Sequence, residues 1–214
     1  MCHSIERVLI LAVCLLFWGQ SALASPDDEI TIVKTFDGAS AAHVDGADVV
    51  YRVAMLAGVG WRGTDIAKIT RDVEEIFDQC RITVAAGEMH WLETGAEFHI
   101  LDEALESRLL GMLPPDRPIV LLVDRTTNQD LAYAYVRTAP PERRDTAWIT
   151  QTVPDACLAP LMAHELGHIL LDSTDHSDDP GNLMHHSCTV SNISGARAGT
   201  LLTEAQCERI RESL

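Results

Sequence analysis

Two histidines four residues apart enclose a glutamate in His164-Glu165-Leu166-Gly167-His168. On a helix, residues four apart stand about 40° apart around the axis, so both imidazoles project from one face. Two neutral imidazoles at that separation suit a zinc ion, with metal–nitrogen bonds of about 2.0–2.1 Å. Glu165 stands about 100° round the helix from His164. It can therefore reach a water polarised by the metal without taking a ligand position. Zinc brings the pKa of such a water to about 7, and a neighbouring carboxylate takes its proton as it attacks a carbonyl. The pattern arises by chance about once in two hundred chains of this length. Here it lies in an apolar stretch that includes Leu158, Leu161, Met162, Ile169 and Leu170. Two histidines and a glutamate are costly to bury there without a partner.

A catalytic zinc takes three protein ligands and keeps one position open. His176 is the favoured third donor. A helix continued past Leu171 would carry it about 12 Å along the axis from His168, so the chain must turn back first. Asp172-Ser173-Thr174-Asp175 has the residue types that make such a turn. Asp172 and Asp175 are the competing donors. Asp172 would share the face of His168 on a continued helix, although its better use is to satisfy backbone groups freed at the helix end. A distant glutamate is a further alternative, and Glu204, in a later helix, is the candidate.

These residues need elements to position them, and periodicity supplies the outline. Ile66, Ile69, Val73, Ile76 and Phe77 recur at helical spacing behind a cap at Thr64 or Asp65, in a helix ending near Cys80. Residues 154–171 form the helix that carries the motif. Residues 203–213 form a third, with Thr203 as its cap and Glu204 in its first turn. Strand patterns cover 31–36, 49–55, 81–86, 118–124, 131–137 and 146–150. No internal repeat, low-complexity tract or linker divides the chain, so one α+β domain is expected.

Composition narrows the partners. The chain has 214 residues, of which 47% are hydrophobic, enough for a core and too many for a disordered chain. Its 16 basic against 32 acidic residues give a formal charge of −16. With no basic run, nucleic acid is excluded as a partner. Nine histidines are present, five of them between positions 164 and 186. Arg7 precedes an apolar run from Val8 to Trp18, and Ala22-Leu23-Ala24 closes it. That is the pattern of a secretory signal peptide with cleavage after Ala24, leaving 25–214 as the catalytic domain. The run is too short to span a membrane, and no later stretch is long and apolar enough. A secreted or periplasmic monomer without a stable membrane anchor is expected. Cys80, Cys157, Cys188 and Cys207 remain after cleavage, and an even count in an exported chain predicts disulfides. Three pairings are open, with Cys188–Cys207 and Cys80–Cys157 the one leaned towards. With no C-x-x-C pair, a cysteine zinc cluster is not expected.

Taken together, these residues resemble the metzincin zinc metallopeptidases, closest to the matrixin-like branch. That family carries H-E-x-x-H-x-x-G-x-x-H followed by a methionine turn. His164, Glu165 and His168 match it. The stretch Ser177-Asp178-Asp179-Pro180-Gly181-Asn182-Leu183-Met184 is similar to the family's path from third histidine to methionine, with the same eight-residue interval from His176 to Met184. The resemblance implies a single domain with a mixed twisted sheet, an early helix, an active-site helix and a C-terminal helix. It implies that Met184 forms an apolar base beneath the metal without ligating it. It also implies that 131–136 is the sheet's edge strand, where Tyr133, Ala134 and Tyr135 line the cleft and pair with an extended peptide.

Two departures stand out. Leu171 occupies the family's glycine position, and His176 comes two residues late, so seven residues separate His168 from the third histidine. No inhibitory cysteine segment precedes the domain, so latency by a cysteine switch is not expected. His186 holds the place where some metzincins carry a tyrosine that approaches the metal. It would polarise a substrate carbonyl or approach the zinc, with an exposed wall residue as the alternative. His90 and His99 read as surface or packed histidines. Asp172, Asp175, Asp178 and Asp179 offer oxygens for Ca2+, as in matrixins, but without EF-hand spacing they read as a solvated loop.

The residues and the resemblance point to a secreted or periplasmic zinc-dependent endopeptidase acting on protein or peptide substrates. His164, His168 and His176 would hold Zn2+, and Glu165 would act as general base and then proton donor. The rivals are a non-catalytic zinc-binding exported protein and a zincin that uses Glu204 as third ligand.

Overall fold

The computed structural model describes residues 31–37, 47–57, 60–61, 63–113, 115–128, 130–186 and 199–214. The expected signal segment and Cys188 lie outside the described residues. The strands are β1 (Thr31–Asp37), β2 (Val49–Leu56), β3 (Val84–Glu93), β4 (Ile100–Leu101), β5 (Ile119–Val123), β6 (Arg125–Thr126), β7 (Ala132–Tyr135) and β8 (Thr146–Thr150). The helices are α1 (Gly63–Phe77), α2 (Glu103–Met112), α3 (Asp155–Leu171) and α4 (Glu204–Ser213).

Ile119-Val120-Leu121-Leu122-Val123 has no polar residue to turn toward water, and all five positions of β5 are buried. A strand of that kind is stable only with both faces covered and a partner on each side. β5 accordingly lies inside a six-stranded sheet of order β1-β3-β2-β5-β8-β7. β3, β2, β5 and β8 run parallel, while β1 and β7 close the two ends antiparallel. β4 and β6 form a separate parallel pair. The fold is α+β with a mixed sheet. Among the described residues, no helix is long and apolar enough to cross a membrane.

α1 and α3 pack against each other and against the sheet. The inward stripe of α1 is Ile66, Val73 and Phe77, each fully buried. α3 is apolar on nearly all sides: thirteen of its residues are buried, including His164, Glu165 and His168. Polar groups inside such a helix have no solvent to bond and must find partners in the protein.

Two elements differ from the pattern reading. β3 runs to Glu93, well past residue 86, because it is bonded on both sides, to β1 and to β2. That pairing carries the strand through the polar stretch Gly87-Glu88. α2 is an additional helix, capped by Asp102, whose side chain accepts from the Leu105 N–H at 2.8 Å. Its Leu109 and Leu110 are buried, too brief an apolar stripe to register as a period.

The disulfide reading is corrected. Cys80 is bonded to Cys207 across a separation of 127 residues, which excludes both Cys188–Cys207 and Cys80–Cys157. A short 3-10 turn, Asp78–Cys80, ends α1, and the packing of α4 against that turn brings the two sulfurs together. Cys157 is also disulfide-bonded.

Candidate metal centre

α3 presents His164 and His168 on one face, one turn apart. The Nδ1 of His164 lies 2.6 Å from the Leu183 carbonyl oxygen, and the Nδ1 of His168 lies 2.7 Å from that of Ser173. A carbonyl can only accept, so each Nδ1 carries the hydrogen and donates it. Each Nε2 is then bare on a neutral ring, and the two Nε2 atoms approach to 3.0 Å. Two lone pairs at that distance repel unless a cation sits between them. A tetrahedral zinc spaces its nitrogen ligands by about 3.3 Å.

His176 completes the group. One ligating atom from each of His164, His168 and His176 lies within 4.8 Å of the other two. The three rings surround a common point, with centroids 4.6, 5.2 and 4.8 Å apart. Burial, then the neighbouring His168, hold His164 down to about 3. Burial, His168 and His186 hold His176 down to about 4. Burial lowers His168 in the same direction. All three imidazoles are thus neutral near pH 7, the form that ligates a metal. The donor set and its convergence fit a zinc ion.

The turn that returns His176 is made by Asp172. It adopts φ 45°, ψ 49°, a left-handed conformation that Asp and Asn tolerate better than other non-glycine residues. Its N–H bonds back to α3, and the Ser173 N–H reaches the His168 carbonyl at 3.1 Å. The Asp172 Oδ1 accepts from the Arg137 N–H at 2.9 Å. Asp172 thus closes the helix one residue after the position where the resemblance looks for glycine, and its carboxylate is turned to the end of β7. Asp175 accepts from the Ser173 hydroxyl at 2.9 Å. Glu204 accepts from Arg211 at 2.7 Å in the exposed first turn of α4. None of these three carboxylates belongs to the ligand group found among the described residues. Asp179 caps the Gly181 N–H at 2.9 Å.

Glu165 is 5% exposed. Burial alone pushes its carboxyl up to about 8. Met184 sits below α3 in a tight turn closed by the His185 N–H on the Asn182 carbonyl at 3.1 Å. Its thioether occupies the space left by Gly167, where an added Cβ would meet Sδ at 2.7 Å. Asn182 holds that turn: its Oδ1 accepts from the Met184 N–H at 2.9 Å, and its amide donates to Gln206 at 2.8 Å. Gln206 and Thr203 form a reciprocal cap on α4, so the start of α4 braces the turn that holds Met184. Sequence reasoning passed over Gly167 and Asn182. The signal for Gly167 was a glycine inside a helix, where it costs about 1 kcal/mol.

His186 is exposed and stacks on His176, with centroids 3.5 Å apart and planes inclined by 20°. His90, 4% exposed in mid-β3, and His99, 3.7 Å from Asp124, lie outside the three-histidine group. β7 ends the sheet beside α3. The Leu131 carbonyl accepts from Thr150 and the Tyr135 carbonyl from Asp145. Antiparallel pairing alternates, so Ala132 and Ala134 direct their backbone groups to the open edge. Ala134 is buried and Tyr133 is 44% exposed.

No protein-family model matches the sequence, and no curated protein matches it. Solved structures do. Metalloproteinase-II from Bacteroides fragilis superposes with a TM-score of 0.56 at 15% identity, over 78% of this chain and 53% of that one. The chain thus spans about half the length of that structure, and the likeness is one of fold. A looser likeness, with a TM-score of 0.42 at 14% identity, is to a zinc-dependent peptidase from Methanocorpusculum labreanum, over 75% of this chain and 99% of that one. The chain shares its α+β fold with metalloproteinase-II over the superposed part.

Proposed function

We propose that the protein is an exported zinc-dependent endopeptidase, in which His164, His168 and His176 hold the metal and Glu165 moves the protons. The observation that carries this reading is the convergence of three neutral imidazoles, two of them on the helix that also carries the buried Glu165. Zinc, when bound, lowers the pKa of water and polarises the scissile carbonyl.

The chain's own residues do the rest. Glu165 accepts the proton of the attacking water and returns it to the leaving amine. Burial raises its carboxyl above the usual carboxylate range, which brings its proton affinity closer to that of a metal-polarised water. Met184 acts as the apolar floor that fixes the positions of the imidazoles. His186, stacked on His176 at the exposed side, would polarise the carbonyl of a bound substrate. The substrate lies as an added strand on the open edge of β7, bonded to the backbone of Ala132 and Ala134. Export follows from the signal pattern of 1–24, which also suits the Cys80–Cys207 disulfide.

The test is direct. Residues 25–214 are purified with zinc and offered casein and a quenched-fluorescent peptide library. Cleavage at internal bonds is expected, lost on chelation and restored by zinc. Glu165→Gln should keep one zinc per chain and lose about 10²–10⁴-fold in kcat/KM. A wild type that binds one zinc and cleaves nothing overturns the reading in favour of a zinc-holding, non-catalytic protein.

A further inference from the structure

β7 has a second face. Tyr133 and Tyr135 alternate with Ala134 and point away from α3, toward α2. Between α2, β6 and the ends of β7 and β8 lies a cavity of about 380 Å³, whose lining includes Glu106, Tyr133, Tyr135, Trp148, Thr126 and Arg143. The Tyr133 ring stacks on Trp148 with centroids 6.0 Å apart, and meets Tyr135 edge-on at 5.0 Å. These rings form an aromatic wall beside the strand's open edge.

Glu106 is the anomaly in this wall. It is 5% exposed. One carboxylate oxygen, Oε2, accepts from the Tyr135 hydroxyl at 2.7 Å. The other, Oε1, is buried with no hydrogen-bond partner among the described residues. Arg143 is the sole cation in the lining, and it is already engaged, donating to the Glu103 carboxylate and carbonyl at 2.8 Å and to the Ser107 hydroxyl. Burial raises the Glu106 pKa, with a smaller push from the Glu103 charge, against the pull of the Tyr135 hydroxyl, Arg143 and the Trp148 indole. A buried carboxylate with a free oxygen among aromatic rings is costly until a cation completes it. A lysine or arginine side chain meets the need: its apolar stem lies on the rings, and its charge reaches the oxygen.

We propose that this cavity is a subsite for a basic side chain of a peptide lying along β7. The proposal rests on the reading of β7 as the substrate strand. In a peptide added to β7, the residues opposite Tyr133 and Tyr135 carry their side chains on the same face as those tyrosines. One of them would pass over the strand edge and direct its charge to Glu106. The net charge of −16 favours approach of such a substrate.

Two arms test this on the full mature chain. In the first, Nα-acetyl-lysine methylamide and Nα-acetyl-arginine methylamide are titrated against the zinc-loaded protein, with the norleucine analogue as control. Saturable binding of the cationic amides at millimolar concentration is expected, at least tenfold weaker in Glu106→Gln. Gln keeps an acceptor for Tyr135, and melting temperature and zinc content check that the variant is folded. In the second arm, a fluorogenic peptide is varied to Lys, Arg, norleucine and Glu at each position. One position should favour Lys or Arg over norleucine by about tenfold in kcat/KM, and that ratio should fall to near one in Glu106→Gln. Lys against Arg in both arms shows which cation is preferred. Cleavage with no basic preference, or a preference that survives Glu106→Gln, overturns the subsite and leaves the peptidase reading standing. Glu106-dependent binding of the amides with no cleavage of any peptide supports the cation site and removes the peptidase reading. No binding in the first arm and no preference in the second overturn the subsite.

Discussion

Met184 Sδ lies 2.7 Å from the point where a Cβ on Gly167 would stand. The space beside Gly167, between the two α3 histidines, is thus taken by the Met184 side chain. In an exposed helix, Gly→Ala stabilises by about 0.5–1 kcal/mol. Here Met184 is 2% exposed and its turn is held by Asn182 and Gln206, so it has little room to withdraw. Gly167→Ala should therefore destabilise the fold, by about 1–3 kcal/mol, measured by urea unfolding. The loss in the Gly167→Ala/Met184→Ala double variant should be smaller than the sum of the two single losses. Simple additivity of the two changes would show that the contact is not felt.

Zinc content should separate the ligands from their rivals. His164→Ala, His168→Ala and His176→Ala should each lower bound zinc below one per chain, while Glu204→Ala and Asp175→Ala should retain it. The wild-type imidazoles should also keep the metal in mild acid. An ordinary histidine protonates near 6.5, but His164 is held down to about 3 and His176 to about 4. Protons compete for these nitrogens only below those values. Elemental analysis after dialysis should find zinc held at pH 5 and released below about pH 4. Release centred on pH 6.5 contradicts the assignment.

Glu165 should show its burial through stability. Its pKa rises from 4.5 unfolded to about 8 folded. Between those values the folded metal-free protein binds more protons than the unfolded one, so this group's contribution falls as pH rises. Glu165→Gln removes the titration. The variant's melting temperature, measured without metal, should exceed that of wild type at pH 8, and the gap should close as pH falls toward 4.5. A gap independent of pH sinks the idea.

Asp172 should tolerate few replacements. Its φ of 45° costs a branched or alanine side chain about 1–2 kcal/mol, and its Oδ1 holds the Arg137 N–H. Asp172→Asn keeps both properties and should be close to neutral. Asp172→Ala loses both, and should lower stability together with zinc affinity, because the turn to His176 starts there. Equal zinc affinity in the two variants would disconnect the turn from the ligand.

Much of the outline was legible locally. Spacing alone decides that His164 and His168 share a helix face, since a helix brings round the fourth residue whatever surrounds it. The apolar run at 119–123 declares a doubly buried strand, and Thr203 declares the start of α4. These are short-range statements about periodicity and capping, and they need no partner. The length of β3 was not legible, because its polar middle is held by neighbours on both sides. The helix α2 has one brief apolar stripe, and its start is fixed by the Asp102 cap and by the contact of Arg143 with Glu103.

What the chain determines by itself is the donor set: which nitrogens are present, and that a carboxylate adjoins them. Only the tertiary structure decides where the third imidazole goes. The conformation of Asp172 is selected by an N–H at the end of β7, 35 residues away in sequence. It likewise decides that Cys80 takes Cys207, because three pairings are equivalent until α4 packs against the end of α1. It also leaves Glu106 Oε1 without a hydrogen-bond partner among the described residues, beside three aromatic rings contributed by β7 and β8. Local interactions depend on neighbours the sequence already names. These choices depend on residues that become neighbours only when the sheet is assembled, and the burial that follows gives the bare nitrogens and buried carboxylates their chemistry.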